Sequence, residues 1–310
     1  MEISMLTFMS MRLFRAVLAL GIVLIIAFVT VRYSGEPFER MFPEGLTVEL
    51  EAQLRSEWFT DRSLIEQFGI YLGQIAQGDF GQSLYTKEDV WRIYADRMPA
   101  TLAVGGLAFL VSVIIGLPLG AIAALWRQSG VAKTVMAFTF LGYAIPHYVL
   151  GIGLVLVFGL HLKILPTNGL DTAKHYVLPV LTLSIPMIAG LARYMRAAML
   201  DAIAQPHVMT AMSKGVNERR LAIQHIFRNA MVPLLTVLGL EIAGLINGSI
   251  FVETVFALPG VGRVLVDSVL DRNYPVLQFG VLAYATVIVL ITLAVDLLYT
   301  IADPRVRLEA

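Results

Sequence analysis

Residues 100–125 read Ala100-Thr101-Leu102-Ala103-Val104-Gly105-Gly106-Leu107-Ala108-Phe109-Leu110-Val111-Ser112-Val113-Ile114-Ile115-Gly116-Leu117-Pro118-Leu119-Gly120-Ala121-Ile122-Ala123-Ala124-Leu125, without one charged side chain. As an α-helix rising about 1.5 Å per residue, this run reaches about 39 Å, enough to cross about 30 Å of bilayer hydrocarbon. Five further runs qualify on the same ground: Leu13 to Val31, Thr134 to Leu160, Val177 to Leu200, Asn229 to Val255 and Val276 to Ile301. The expected fold class is an all-α membrane protein with six transmembrane helices. Composition agrees, since 57% of the chain is hydrophobic and 15% charged, with mean hydropathy +0.75. A soluble domain carries roughly a quarter charged residues.

Charge sets the orientation and removes several functions. Twenty-three Lys and Arg balance 23 Asp and Glu, so no basic excess exists to neutralise phosphates and a nucleic-acid partner is not expected. Without cysteine there is no disulfide, no thiolate zinc site and no Cys nucleophile. Arg12 and Arg15 precede the first run, and no small-x-small cleavage site follows it, so it reads as an uncleaved anchor. With the N-terminus inside, Arg127, Lys133, Arg193, Arg196, Lys214, Arg219, Arg220, Arg228, Arg305 and Arg307 fall on the cytoplasmic side. The short outer loops then hold only Lys163, Lys174, Arg263 and Arg272. Both termini are expected in the cytoplasm of a bacterial inner-membrane, multi-pass protein. The parts are residues 1–33, cytoplasmic N-terminus and first transmembrane helix; 34–99, an extracytoplasmic segment; and 100–310, five helices with a loop at about 201–228.

The outer segment is amphipathic, with Leu46, Leu50, Leu54 and Trp58, then Leu64, Phe68, Tyr71 and Leu72, at helical spacing. Leu258-Pro259-Gly260-Val261-Gly262 signals a turn or a re-entrant element just outside the fifth helix. No phosphate-binding G-x-x-x-x-G-K-[ST] loop occurs, so ATP chemistry has to come from a partner. Asp79-Phe80-Gly81 spells a kinase triplet, but the other kinase motifs are missing and the match is coincidental.

Between the fourth and fifth runs stands Gln205-Pro206-His207-Val208-Met209-Thr210-Ala211-Met212-Ser213-Lys214-Gly215-Val216-Asn217-Glu218-Arg219-Arg220. Proline suits a first helical position, Gly215 suits a left-handed residue that ends the helix, and Asn217 with Glu218 suits the cap of the next one. The reading is a freestanding helix of two turns exposing Val208, Met212 and Lys214 to the cytosol. Such a helix docks into a groove on a soluble protein or lies on lipid headgroups.

This stretch, with His225-Ile226-Phe227-Arg228-Asn229-Ala230-Met231-Val232-Pro233, resembles the cytoplasmic loop of permease subunits in the dipeptide/oligopeptide/nickel family of ABC importers. So do Gly78-Asp79-Phe80-Gly81-Gln82-Ser83, Arg97-Met98-Pro99-Ala100-Thr101-Leu102, Val252-Glu253-Thr254-Val255-Phe256 with Pro259-Gly260-Val261-Gly262, Arg272-Asn273-Tyr274-Pro275, and Asp296-Leu297-Leu298-Tyr299 with Asp303-Pro304-Arg305-Val306-Arg307. The coupling motif of ABC importers opens with Glu-Ala-Ala. Here Met209-Thr210-Ala211 stands instead, similar to the peptide-permease branch, and the glycine is kept as Gly215. The resemblance implies half a pore for peptides, nickel chelates, opines, glutathione or sugars, with Val208, Ala211, Met212, Lys214 and Gly215 as the ATPase-coupling residues. It also implies a second homologous permease subunit, two ATP-binding subunits carrying ATP and Mg, and an extracytoplasmic solute-binding protein. This chain itself would be no enzyme and would bind no cofactor; membrane lipid is its other partner.

Glu241 and Asp296 lie within apolar runs, where a carboxylate costs at least about 2.5–3.5 kcal/mol. Each reads either as a polar group on the translocation path or as an interhelical hydrogen-bonding residue; Glu241 and Asn247 are the path candidates. His147, after Pro146, lacks a second ligand at metal spacing and reads as a packing residue. Gly116-x-x-x-Gly120 and Gly244-x-x-x-Gly248 permit close helix approach. The rival of another class is a proton-coupled secondary transporter using Glu241; against it stands the lack of a visible repeat and of an even pair of broken helices, although Pro179 and Pro186 keep the idea open.

Overall fold

The structure, a computed structural model, describes residues 5–35, 41, 42 and 45–302. Arg305 and Arg307, with the Asp303-Pro304 pair, lie outside the described residues. The described chain is mostly helical: α1 (Met5–Tyr33), α2 (Val48–Glu57), α3 (Leu64–Ala76), α4 (Val90–Leu125), α5 (Gly130–Ala144), α6 (His147–His161), α7 (Ala173–Ile203), α8 (Pro206–Ser213), α9 (Glu218–Val255), α10 (Val261–Leu270) and α11 (Tyr274–Ala302). Five of these, α1, α4, α7, α9 and α11, are each long and apolar enough to cross a membrane. Their outward sides are apolar, as lipid requires. On α1, Leu13, Phe14, Val17, Leu18 and Ile26 are each more than half exposed.

The third expected run, Thr134 to Leu160, departs from the expectation of one straight helix. It is a pair, α5 and α6, bent by 99°. The cause is local: Ile145 is extended, as the residue before proline prefers, and Pro146 caps α6, where its missing N–H is no loss. Counting the pair as one span restores six. The last seven residues of α6 and residues Leu221–Phe227 of α9 are wound as π-helix.

α7 is the central element. Gly116 and Gly120 bring α4 against it, and a Cβ on Gly120 would lie 2.4 Å from the Ala192 carbonyl and 2.7 Å from Met195 Cβ. The glycine spacing therefore works as read, by letting two backbones touch. Gly244-x-x-x-Gly248 does not repeat this: Gly248 meets Leu183, but Gly244 has nothing within 4 Å. One apolar cluster (Leu117, Ala124, Met195, Met199, Leu221, Ile226) packs the end that carries α8, and another (Val104, Ala108, Leu178, Val252, Phe256) packs the opposite end.

The first helix is held by charge and by rings. Arg12 Nη1 lies 2.5 Å from Asp296 Oδ2 on α11, which favours the interhelical reading of that carboxylate. At the other end Phe28 packs edge-on to Phe68 and stacks with Tyr71 of α3, with centroids 5.1 and 5.8 Å apart. The segment in which the sequence predicts short amphipathic helices holds α2 and α3. Ser63 and Glu66 close a capping box at the start of α3. α10 was not foreseen, because its ten residues are too short and too polar to register as a span.

Candidate functional site

Three places gather polar chemistry. The first is α8 and its flanks. Gln205 caps the helix, Pro206 takes the first position, and the end is a Schellman turn: Val216 N–H donates to Ala211 O (3.2 Å) and Gly215 N–H to Met212 O (2.9 Å). Gly215 has φ +72°, and nothing lies within 4 Å of where its Cβ would be. Asn217 Oδ1 then accepts from Arg219 N at 2.9 Å and starts α9. These local readings hold.

The face assigned to α8 needs correction. Val208 is fully buried and Ala211 nearly so, both in the cluster with Leu117, Met199 and Leu221. A two-turn helix cannot hold itself together, so its apolar stripe is used to dock on its own bundle. What remains outward is Met209 (53% exposed), Met212 (48%), Ser213 and Lys214. Of the coupling candidates, Met212, Lys214 and Gly215 are thus available to another protein, and Val208 and Ala211 are not.

The second place is inside the bundle. Glu241 on α9 sits over Gly190 of α7, where a Cβ would come 2.7 Å from its Oε1. Glycine makes the room that the carboxylate fills. Arg193, less than one turn further along α7, lies within electrostatic reach of Glu241, and its guanidinium stacks 3.9 Å from the Tyr143 ring centroid on α5. Arg193 is about 15 Å from the end of α7, so it belongs to this polar cluster and not to the surface loop. Asn247 is not part of it. Six residues on, it is about 120° round the helix from Glu241 and about 9 Å along. It falls on an uncovered stripe of α9 with Leu240, Gly244 and Phe251.

The third place was missed in the sequence. Glu253, 2% exposed, accepts from Thr101 Oγ1 of α4 (2.7 Å), from Arg263 N (3.1 Å) and from the Gly262 amide. Val261 N–H in turn donates to Thr101 Oγ1 at 2.9 Å. A buried carboxylate therefore closes the N-terminus of α10 and pins it to α4, a favourable place for negative charge. The signal was an acidic residue seven positions before a Gly-x-Gly that opens a helix. A neighbouring clamp joins Asn273 to the strand-like turn before α4: Asn273 Nδ2 donates to Ser83 Oγ (2.9 Å) and Leu84 N–H to Asn273 Oδ1 (3.1 Å). Among the described residues no three His, Asp or Glu side chains come together to hold a metal ion.

Comparison with known proteins gives a consistent answer. Residues 116–308 match the family described as binding-protein-dependent transport system inner membrane component. The glutathione transport system permease protein GsiC of Escherichia coli K12 is 36% identical over 98% of this chain and 99% of its own length. The di/tripeptide transport system permease protein DppB of Pseudomonas aeruginosa is 34% identical with the same coverage. Among solved structures, an inward-facing MetNI methionine ABC transporter chain superposes with TM-score 0.60, at 18% identity, over 69% of this chain and 97% of that one. At that identity the likeness concerns the fold.

Proposed function

We propose, on the premise that the chain belongs to the binding-protein-dependent transport system inner membrane components and is a permease subunit of a peptide-type ABC importer, that it forms half of the path for short peptides or glutathione-like solutes. The observation that carries the substrate class is full-length similarity, at 34–36% identity, to permeases named for glutathione and for di- and tripeptides. A second homologous permease completes the pore, two ATPases supply hydrolysis with ATP and Mg, and a binding protein delivers solute from outside. The uncovered stripe of α9 with Asn247 faces the path or the second permease, and Glu241 with Arg193 is the polar pair beside it. The exposed face of α8, centred on Met209 and Met212, transmits ATPase closure into α7 and α9, because its buried face is packed on both. A proton-coupled carrier finds no support in these relatives.

The test is transport. Proteoliposomes holding the assembled complex should accumulate a dipeptide only when ATP and the binding protein are supplied on their proper sides. Glu241→Gln should keep at least half of that rate, since an amide preserves size and hydrogen bonding. Accumulation driven by a pH gradient without ATP, and lost in Glu241→Gln, would sink the proposal.

Orientation is proposed from the basic residues beside α8, with α8 and both termini in the cytoplasm. The cysteine-free chain allows a direct check. Glu88 and Ser213 are both exposed. In the chain expressed without its partners, Glu88→Cys should react with an impermeant maleimide added to spheroplasts and Ser213→Cys only in inverted vesicles. The reverse pattern would invert the assignment.

A further inference from the structure

The 99° bend between α5 and α6 lies at bilayer depth and is open on one side. Both arms are fixed to α7: a Cβ on Gly142 would meet Ile185 Cγ2 at 3.3 Å, and one on Gly151 would meet Thr182 Cγ2 at 3.2 Å. Thr182 and Ile185 stand about 14–18 Å from the end of α7 opposite α8, in a helix about 46 Å long, so the bend falls within about 30 Å of hydrocarbon. Ile145, Pro146, Tyr148 and Val149 are nonetheless exposed. Breaking a helix leaves the last carbonyls of α5 and the first amides of α6 without partners inside either helix, and no side-chain hydrogen bond caps α6. Such backbone is not tolerated against lipid; it is either covered by protein or lines water.

The side chains at the bend decide between the two. His147 lies over Gly248 of α9, its Cδ2 and Nε2 each 3.6 Å from where a Cβ would be, and the Tyr148 ring centroid is 6.3 Å from that of Phe251. Tyr148 and Phe251 are each about half exposed. The bend therefore stands along the uncovered stripe of α9 that carries Asn247, and through Tyr143 it reaches Arg193 and the Glu241 pair. Imidazole, phenol, carboxamide and open backbone along one wall are all satisfied by water or a polar solute, whereas a protein cover would have to match each of them. We propose that the bend is a wall of the solute path and that Tyr148 and Phe251 form an aromatic constriction there, selecting short peptides by side-chain bulk, with His147 and Asn247 offering hydrogen bonds to the peptide backbone. For the identity of the solute this rests on the peptide-importer reading above.

The experiment uses the assembled complex in nanodiscs, with labelling read by mass spectrometry on this chain, which has no cysteine of its own. Tyr148→Cys and Phe251→Cys should react with a charged methanethiosulfonate at least tenfold faster than Val17→Cys, on the exposed apolar side of α1. Slow labelling in the complex but fast labelling in the chain alone would put the bend under the second permease, and slow labelling in both would put it in lipid; either overturns the proposal. In proteoliposomes with ATP and one and the same binding protein, Tyr148→Ala should raise the ratio of Phe-Phe to Ala-Ala uptake at least threefold over wild type, which lost packing alone would not do. A ratio unchanged in both Tyr148→Ala and Phe251→Ala overturns the constriction. Labelling does not depend on peptide transport, so a labelled bend in a complex that takes up no peptide would sink the peptide reading, and the peptide selection with it, and keep the wall.

Discussion

Gly260→Ala is expected to destabilise the chain by about 3 kcal/mol or more, read as a fall in the melting temperature of the purified complex and in its yield. The added Cβ would stand 2.3 Å from both Cδ and Oε2 of Glu253. A side-chain tip can often swing away from such a clash. This one is held by Thr101 and by two amides at the start of α10, and it is buried. Moving it forfeits several hydrogen bonds to a charged acceptor, each worth about 1.5–3 kcal/mol, and leaves the amides unpaired. Gly105→Ala is the control, because that helical glycine has nothing within 4 Å and alanine should raise helix stability by about 1 kcal/mol. Equal melting of Gly260→Ala and wild type would show that the carboxylate has somewhere else to go.

The same clamp shows what the sequence could and could not convey. The pieces that carried the family resemblance are distant along the chain, yet they meet in pairs. Thr101, two residues after Pro99, touches Glu253 and Val261, and Ser83, at the end of Gly78–Ser83, touches Asn273. Order and spacing made them recognisable, but their partnership is tertiary and left no local trace. Spans were legible because hydropathy is a property of a window. The 99° bend at Ile145 and Pro146 was half legible: proline announces a break, whereas its angle depends on how α5 and α6 each pack on α7. Caps were legible at Gly215 and Asn217, since capping chemistry is local. The burial of Val208 and the inward position of Arg193 were not, because periodicity defines the faces of a helix without saying which face its neighbours cover.

That correction gives the second large effect. Met212→Asp is expected to reduce ATP-driven uptake at least tenfold while leaving the melting temperature of the chain unchanged. Met212 is half exposed on α8, so a carboxylate there is solvated in the isolated permease and penalised only when a partner's apolar groove closes over it. Val208→Asp should behave in the opposite way, as a folding defect, since Val208 has no exposure and lies among Leu117, Met199 and Leu221. Gly215 separates conformation from contact. With φ +72° and free space around it, valine there meets no neighbour but is strained by about 1–2 kcal/mol or more, enough to fray the turn that fixes Met212. Asparagine tolerates the left-handed region and should restore most uptake. Full transport by Met212→Asp would mean that the ATPases grip the permease elsewhere, and the two-turn helix would then be a structural plug of the bundle.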